Sequence, residues 1–142
     1  MSYLIFIVTA ALLIAVTNYL RYKRRMNQIE AVFAGRIPLE PLEFYLRYFK
    51  GKGIPFYVVD GICSILEEHL SADLSRLRED DDFSKNLSFF WDFDSMADRE
   101  IVCALENKFG IKISEEEAEK THTVADIMDL VNSKLEEQNS PK

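Results

Sequence analysis

The chain has 142 residues, with 24 acidic and 17 basic side chains, 2 Cys, 2 His and a formal net charge of −7. That length suits one ordinary domain rather than a large multidomain enzyme, and 48% hydrophobic residues suffice for a core. Two cysteines make no disulfide framework, Cys and His are too sparse for a zinc module, and a pI near 4.9 argues against nucleic acid as the main partner. The charge is unevenly spread. Residues 1–25 hold four basic side chains (Arg21, Lys23, Arg24, Arg25) and no acid, whereas the remainder holds 13 basic and 24 acidic ones.

The first predicted element is Ser2 to Leu20, 19 residues without a charge. As a helix it spans roughly 28 Å, close to the hydrocarbon thickness of a bilayer. Thr9, Thr17 and Asn18 are its polar positions, and Tyr3 and Tyr19 lie where interfacial aromatics are expected. The basic cluster follows at once and no positive charge precedes the run. The positive-inside rule then predicts a single-pass span with its N-terminus outside and the rest of the chain in the cytoplasm. A cleaved secretory signal needs a basic start and a small-residue cleavage site, which this segment lacks in the usual places. Two unpaired cysteines suit a reducing compartment.

Residues 26–54 read as a connector, broken early by Gly35, Pro38 and Pro41 and late by Gly51, Gly53 and Pro55. Between them Leu42-Glu-Phe-Tyr-Leu-Arg-Tyr-Phe-Lys50 predicts a short aromatic helix, packed on the following domain or lying at the membrane surface. From Phe56 the pattern is helical, with Val59, Ile62, Leu66 and Leu70 on one stripe and Glu67 and Glu68 off it. A polar stretch, Ser71 to Ser88, contains Glu79-Asp-Asp-Asp82, read as a solvated loop because it lacks the spaced ligands of a calcium loop.

The next helix reads from Ser95 to Phe109, with Ile101, Leu105 and Phe109 in line and Gly110 placed to end it. Ser114-Glu-Glu-Glu117 has capping-box form and starts a short helix. Thr123 to Asp126 opens a last amphipathic helix bearing Val124, Ile127, Met128, Val131 and Leu135; the tail from Glu136 is expected to fray. No segment alternates as a strand does. Cys63 and Cys103 sit among apolar neighbours and read as core, and His69 and His122 have no partner at metal or triad spacing.

Ser95 is the residue to weigh. Alone it is a helix N-cap with Asp98 three positions on. But Asp94-Ser-Met-Ala-Asp-Arg-Glu-Ile-Val-Cys-Ala-Leu-Glu-Asn-Lys-Phe109, continuing through Gly-Ile-Lys-Ile113, Glu115 to Lys120 and Thr123-Val, resembles the Asp-Ser-Leu segment and following helices of acyl carrier proteins. With Phe56 to Phe83 fitting the first helix and its acidic loop, the resemblance covers about 80 residues. It implies an all-α bundle of three major helices and one short one, behind the single transmembrane helix. The division expected is 1–25 anchor, 26–54 connector, 55–138 carrier domain and 139–142 tail.

The resemblance also implies a function. In that family the serine hydroxyl accepts 4′-phosphopantetheine from coenzyme A, and the thiol end of the arm carries acyl groups in lipid or fatty-acid metabolism. Ser95 is the matching position, flanked by Asp94 and Met96. A helix N-terminus favours a phosphodiester there. Asp98, Glu100 and Glu106 match the acidic helix that basic patches on partner enzymes read; the alternative for them is a solvated face. The implied partners are a phosphopantetheinyl transferase, acyltransferases or synthases, and the membrane through residues 2–20. No metal is implied, and the chain serves as a substrate of enzymes rather than as an enzyme.

Some residues depart from the family pattern. Ser88-Phe-Phe-Trp-Asp-Phe93 replaces a short Gly-containing turn, Arg99 stands at a usually apolar contact position, and Thr121 replaces an apolar residue. These features allow a second reading, a carrier-fold adaptor without the arm. The aromatics before the serine either cap the core or form a docking surface. Phe89-Phe-Trp-Asp-Phe-Asp94 also resembles the Asp-x-Asp signature of haloacid-dehalogenase-like phosphatases. Only 48 residues follow Asp94, without that family's later strands, lysine or second acidic pair.

Overall fold

The computed structural model describes residues 1–93 and 96–141. These residues are helical: seven helices, no strand, and one isolated antiparallel bridge between Asp82 and Thr123. They divide into two compact units, Met1–Ala34 and Gly35–Lys142.

The first unit is one helix, α1, Ser2–Phe33. It is long and apolar enough to cross a membrane, and none of its most apolar stretch is buried. Its threonines are satisfied along the helix itself: Thr9 Oγ1 donates to the Ile5 carbonyl at 2.9 Å and Thr17 Oγ1 to the Leu13 carbonyl at 2.7 Å. Such back-bonding makes a hydroxyl tolerable in apolar surroundings. The helix does not stop near Arg25, where the connector was expected to begin. Met26 to Phe33 contains no Gly or Pro and is mostly good helix formers, so the ladder continues. It stops at Phe33, two residues before Gly35, whose φ of 75° suits glycine.

In the second unit, α2, Pro41–Tyr48, begins at a reciprocal capping box between Glu40 and Glu43, with Pro41 at the first position. It turns Phe44 inward, its ring 5.6 Å from that of buried Phe49. α3, Phe56–Leu70, buries the predicted stripe: Val59, Ile62, Leu66 and Leu70 are each at most 2% exposed. The ring of Tyr45 meets that of Phe56 at 5.5 Å, so the short aromatic helix packs on α3.

The segment between α3 and the next helix is not a free loop. Leu74, Leu77, Phe83 and Leu87 are buried, and its backbone is stitched to the start of the last helix. Phe83 N–H donates to the His122 carbonyl at 2.8 Å and Val124 N–H to the Asp81 carbonyl at 3.0 Å. The aromatic insertion forms α4, Phe89–Phe93. α5, Ala97–Phe109, buries Ala97, Ile101 and Leu105 and ends at Gly110 in the left-handed region. α6, Glu115–Glu119, and α7, Val124–Asn139, both start at capping boxes, Ser114 with Glu117 and Thr123 with Asp126. α3 packs against α2, α5 and α7, and α5 against α7. The expected fraying from Glu136 is not seen: α7 runs to Asn139, and Gln138 Nε2 donates to the Gly110 carbonyl at 2.6 Å.

Candidate functional site

Asp94 and Ser95 lie outside the described residues; their immediate successors do not. Met96 stands at the N-cap of α5 with no side-chain cap hydrogen bond and is half exposed. Helix starts carry unpaired N–H groups and a partial positive charge, which suit a phosphate. A 13-residue helix that buries Ala97, Ile101 and Leu105 holds that terminus in a fixed place. The described helix runs from Ala97, and the start expected at Ser95 lies outside the described residues. The Asp98 carboxylate accepts from the Arg99 N–H at 2.8 Å, and its expected capping contact with Ser95 lies outside the described residues.

The three expected docking acids differ in setting. Asp98 and Glu100 are exposed in the first turn of α5. Glu100 lies 3.7 Å from Nδ1 of His69, at the end of α3, so this His does have an acidic neighbour. Glu106 is half buried, and its carboxylate accepts from the Ile113 N–H at 2.9 Å, closing the turn between α5 and α6. Arg99 is exposed beside Asp98. Thr121 donates to the Glu117 carbonyl at 2.7 Å, which satisfies its hydroxyl locally.

Ahead of the site, Phe89 and Phe90 are buried and stacked with centroids 4.5 Å apart. Trp91 packs on Phe83 at 5.6 Å and donates from Nε1 to the Phe83 carbonyl at 2.9 Å. These aromatics cap the core. Asp92 is exposed on α4 and does not end a strand, as a phosphatase nucleophile must.

The acidic loop is anchored by a group the sequence pattern placed in solvent. Asp81 is 3% exposed, and its carboxylate accepts from Arg36 at 2.7 and 2.9 Å, from the Arg78 N–H at 2.8 Å and from Asn86 Nδ2 at 2.9 Å. Burial opposes its charge, but the Arg36 guanidinium, the Arg78 N–H and the Asn86 amide outweigh that and hold the carboxyl below the usual carboxylate range. Asp80 stays exposed, and Asp82 caps the following turn through the Ser84 N–H at 2.7 Å. The reason is geometric: consecutive loop residues point different ways, and Asp81 is the one whose two carboxylate oxygens reach Arg36.

The two cysteines also part company. Burial, aided by Glu67 and Asp60, pushes the Cys63 thiol up to about 12. Cys103 is exposed rather than core, because it lies two residues from both Ile101 and Leu105 and so on the far side of their stripe. Among the described residues no three His, Cys, Asp or Glu side chains are grouped to hold a metal.

Fold and site together define a small module, all-helical among the described residues, in which the first turn of α5 presents Asp98 and Glu100 to solvent. No family model matches the chain. An acyl carrier protein of Thermosynechococcus vestitus is 33% identical over 78 residues, covering 55% of this chain and 91% of that protein. The chain belongs to the acyl carrier protein family, and its role is that of a carrier.

Proposed function

We propose that the protein is a membrane-tethered acyl carrier, modified with 4′-phosphopantetheine on Ser95 and presenting thioester-linked acyl groups to enzymes at the cytoplasmic membrane face. The observation that carries this reading is the 78-residue likeness to an acyl carrier protein, joined to an Asp94-Ser-Met96 segment directly before a helix whose first turn holds Asp98 and Glu100. The residues present suit the arm. A helix N-terminus of the kind that starts α5 suits a phosphodiester, and Met96 beside it is half exposed. When bound, the arm supplies the thiol that carries the acyl group. The chain's own residues hold and present it, and the transferase supplies the catalytic groups.

Asp98 and Glu100 are the exposed charges for docking of a transferase and of acyltransferases or synthases with basic patches. Glu106, tied to Ile113, contributes mainly by shaping the end of that surface. α1 serves as the anchor, with Arg21, Lys23, Arg24 and Arg25 on the cytoplasmic side. Tethering raises the effective concentration near membrane-bound enzymes. Coexpression with a broad-specificity transferase, followed by intact-mass measurement of wild type and Ser95→Ala, tests the modification. Protease protection of the carrier unit in sealed vesicles tests the topology.

A further inference from the structure

We infer that the outer face of α2 is a lipid-binding surface that rests on an anionic bilayer and turns Asp98 and Glu100 of α5 toward water. The inference builds on the reading of α1 as a membrane anchor. In the carrier unit, the large apolar side chains exposed among the described residues are Ile37, Leu42, Leu46, Phe56, Tyr57 and Met96. All but Met96 fall in the segment around α2. Leu42 and Leu46 lie one turn apart on that helix, 53% and 47% exposed, and Tyr57 adds an interfacial type of side chain, 61% exposed.

Charge selects the partner. From Phe56 onward the chain holds 9 basic and 21 acidic residues, a surface that anionic lipid repels. The α2 segment is the exception. Arg47 and Lys50 are exposed beside Leu46 and just past the helix end. Its two acids are exposed but lie at the opposite end of the helix from Lys50, where Glu43 accepts from the Glu40 N–H at 3.0 Å and Glu40 completes the capping box. Exposed Leu side chains rimmed by Arg and Lys are the composition of an interfacial helix.

Helix geometry separates this face from the docking face. On α3, Phe44 of α2 lines a small cavity with Val59, Asp60 and Cys63. Gly61 faces α5 instead: a Cβ placed there would lie 2.7 Å from Lys108 Cε and 3.0 Å from Phe109 Cζ. Positions 61 and 63 differ by about 200° around a helix axis. α2 and α5 therefore cover opposite sides of α3, and a bilayer under α2 leaves Asp98 and Glu100 accessible to a partner enzyme.

The test uses the full chain reconstituted into vesicles that contain brominated lipids, either zwitterionic alone or with anionic phosphatidylglycerol. Leu46→Trp, Asn107→Trp on α5 and Leu12→Trp within α1 are each compared with the wild type, whose one native tryptophan sets the baseline. The expected result is bromine quenching of the Leu46→Trp signal in anionic vesicles and little quenching of Asn107→Trp. Each cation near such a surface is worth roughly a five-fold gain. Adding Arg47→Ala and Lys50→Ala to Leu46→Trp should thus lower the docked-to-undocked ratio about 25-fold. Quenching of Leu12→Trp with Leu46→Trp no more quenched than Asn107→Trp overturns the lipid surface and leaves the anchor standing. Absence of quenching at Leu12→Trp overturns the anchor and the surface with it.

Discussion

Removing the Asp81 carboxylate should destabilise the carrier unit more than any other change to the acidic loop. Asp81→Ala takes the buried carboxylate from the Arg36 guanidinium, whose side chain is only 14% exposed, and leaves the Arg78 N–H and the Asn86 amide without that acceptor. Breaking a buried ion pair by deleting one partner costs about 3–5 kcal/mol, set against a total stability of about 5–15 kcal/mol for a domain. At about 4–8 °C per kcal/mol for a unit near this size, the midpoint should fall by roughly 12–40 °C. Thermal unfolding of the full chain in detergent, followed by circular dichroism at neutral pH, measures it. Replacing both partners by apolar residues, Arg36→Met with Asp81→Leu, should cost less than Asp81→Ala alone. The pH dependence has a definite sign. The folded carboxyl titrates below its unfolded value of about 3.9, so its contribution is complete above that value and is lost as pH falls through the folded one. A loss under about 1 kcal/mol, the range of surface pairs, or a wild-type advantage that persists unchanged at lower pH, would refute the reasoning.

Other outcomes follow from the same geometry. Charge reversal at Asp98 and Glu100 should slow modification by the transferase about ten-fold at low salt, and the deficit should shrink at high salt, where the Debye length approaches 3 Å. Glu116→Lys, on the exposed face of α6, serves as the control, and an equal effect from it would assign the change to net charge alone. Cys103 should react with a maleimide at pH 8 at least ~100-fold faster than Cys63, because a thiol raised to about 12 is almost wholly protonated there. Equal rates would contradict the burial of Cys63.

Much of the fold was legible because the signals were local. Val59, Ile62, Leu66 and Leu70 recur at helical spacing and all are buried. Gly110, the Ser114–Glu117 pair and the Thr123–Asp126 pair mark helix ends and starts through hydrogen bonds within a few residues. What escaped depends on distance. Nothing near Asp81 in sequence distinguishes it from Asp80 and Asp82; its partner Arg36 is 45 residues away. Cys103 looked like core because its neighbours are apolar, yet the helix turns it away from the Ile101–Leu105 stripe. The continuation of α1 to Phe33 was hidden by reading Arg25 as a boundary, although a charge cluster changes what surrounds a helix without stopping it. At the candidate site, the resemblance singled out Ser95 and the acids after it. Only the structure separates exposed Asp98 and Glu100 from Glu106, which closes a turn.

The central claim is that Ser95 carries the arm. Intact-mass measurement of the full chain, coexpressed with a broad-specificity phosphopantetheinyl transferase, tests it most directly. The prediction is that the wild type gains the mass of one phosphopantetheine, that the gain maps to the peptide holding Ser95, and that Ser95→Ala stays unmodified while remaining folded. A wild type that stays unmodified with several transferases, alongside a Ser95→Ala variant that replaces it fully in cells, would contradict the account and leave an adaptor built on a carrier fold.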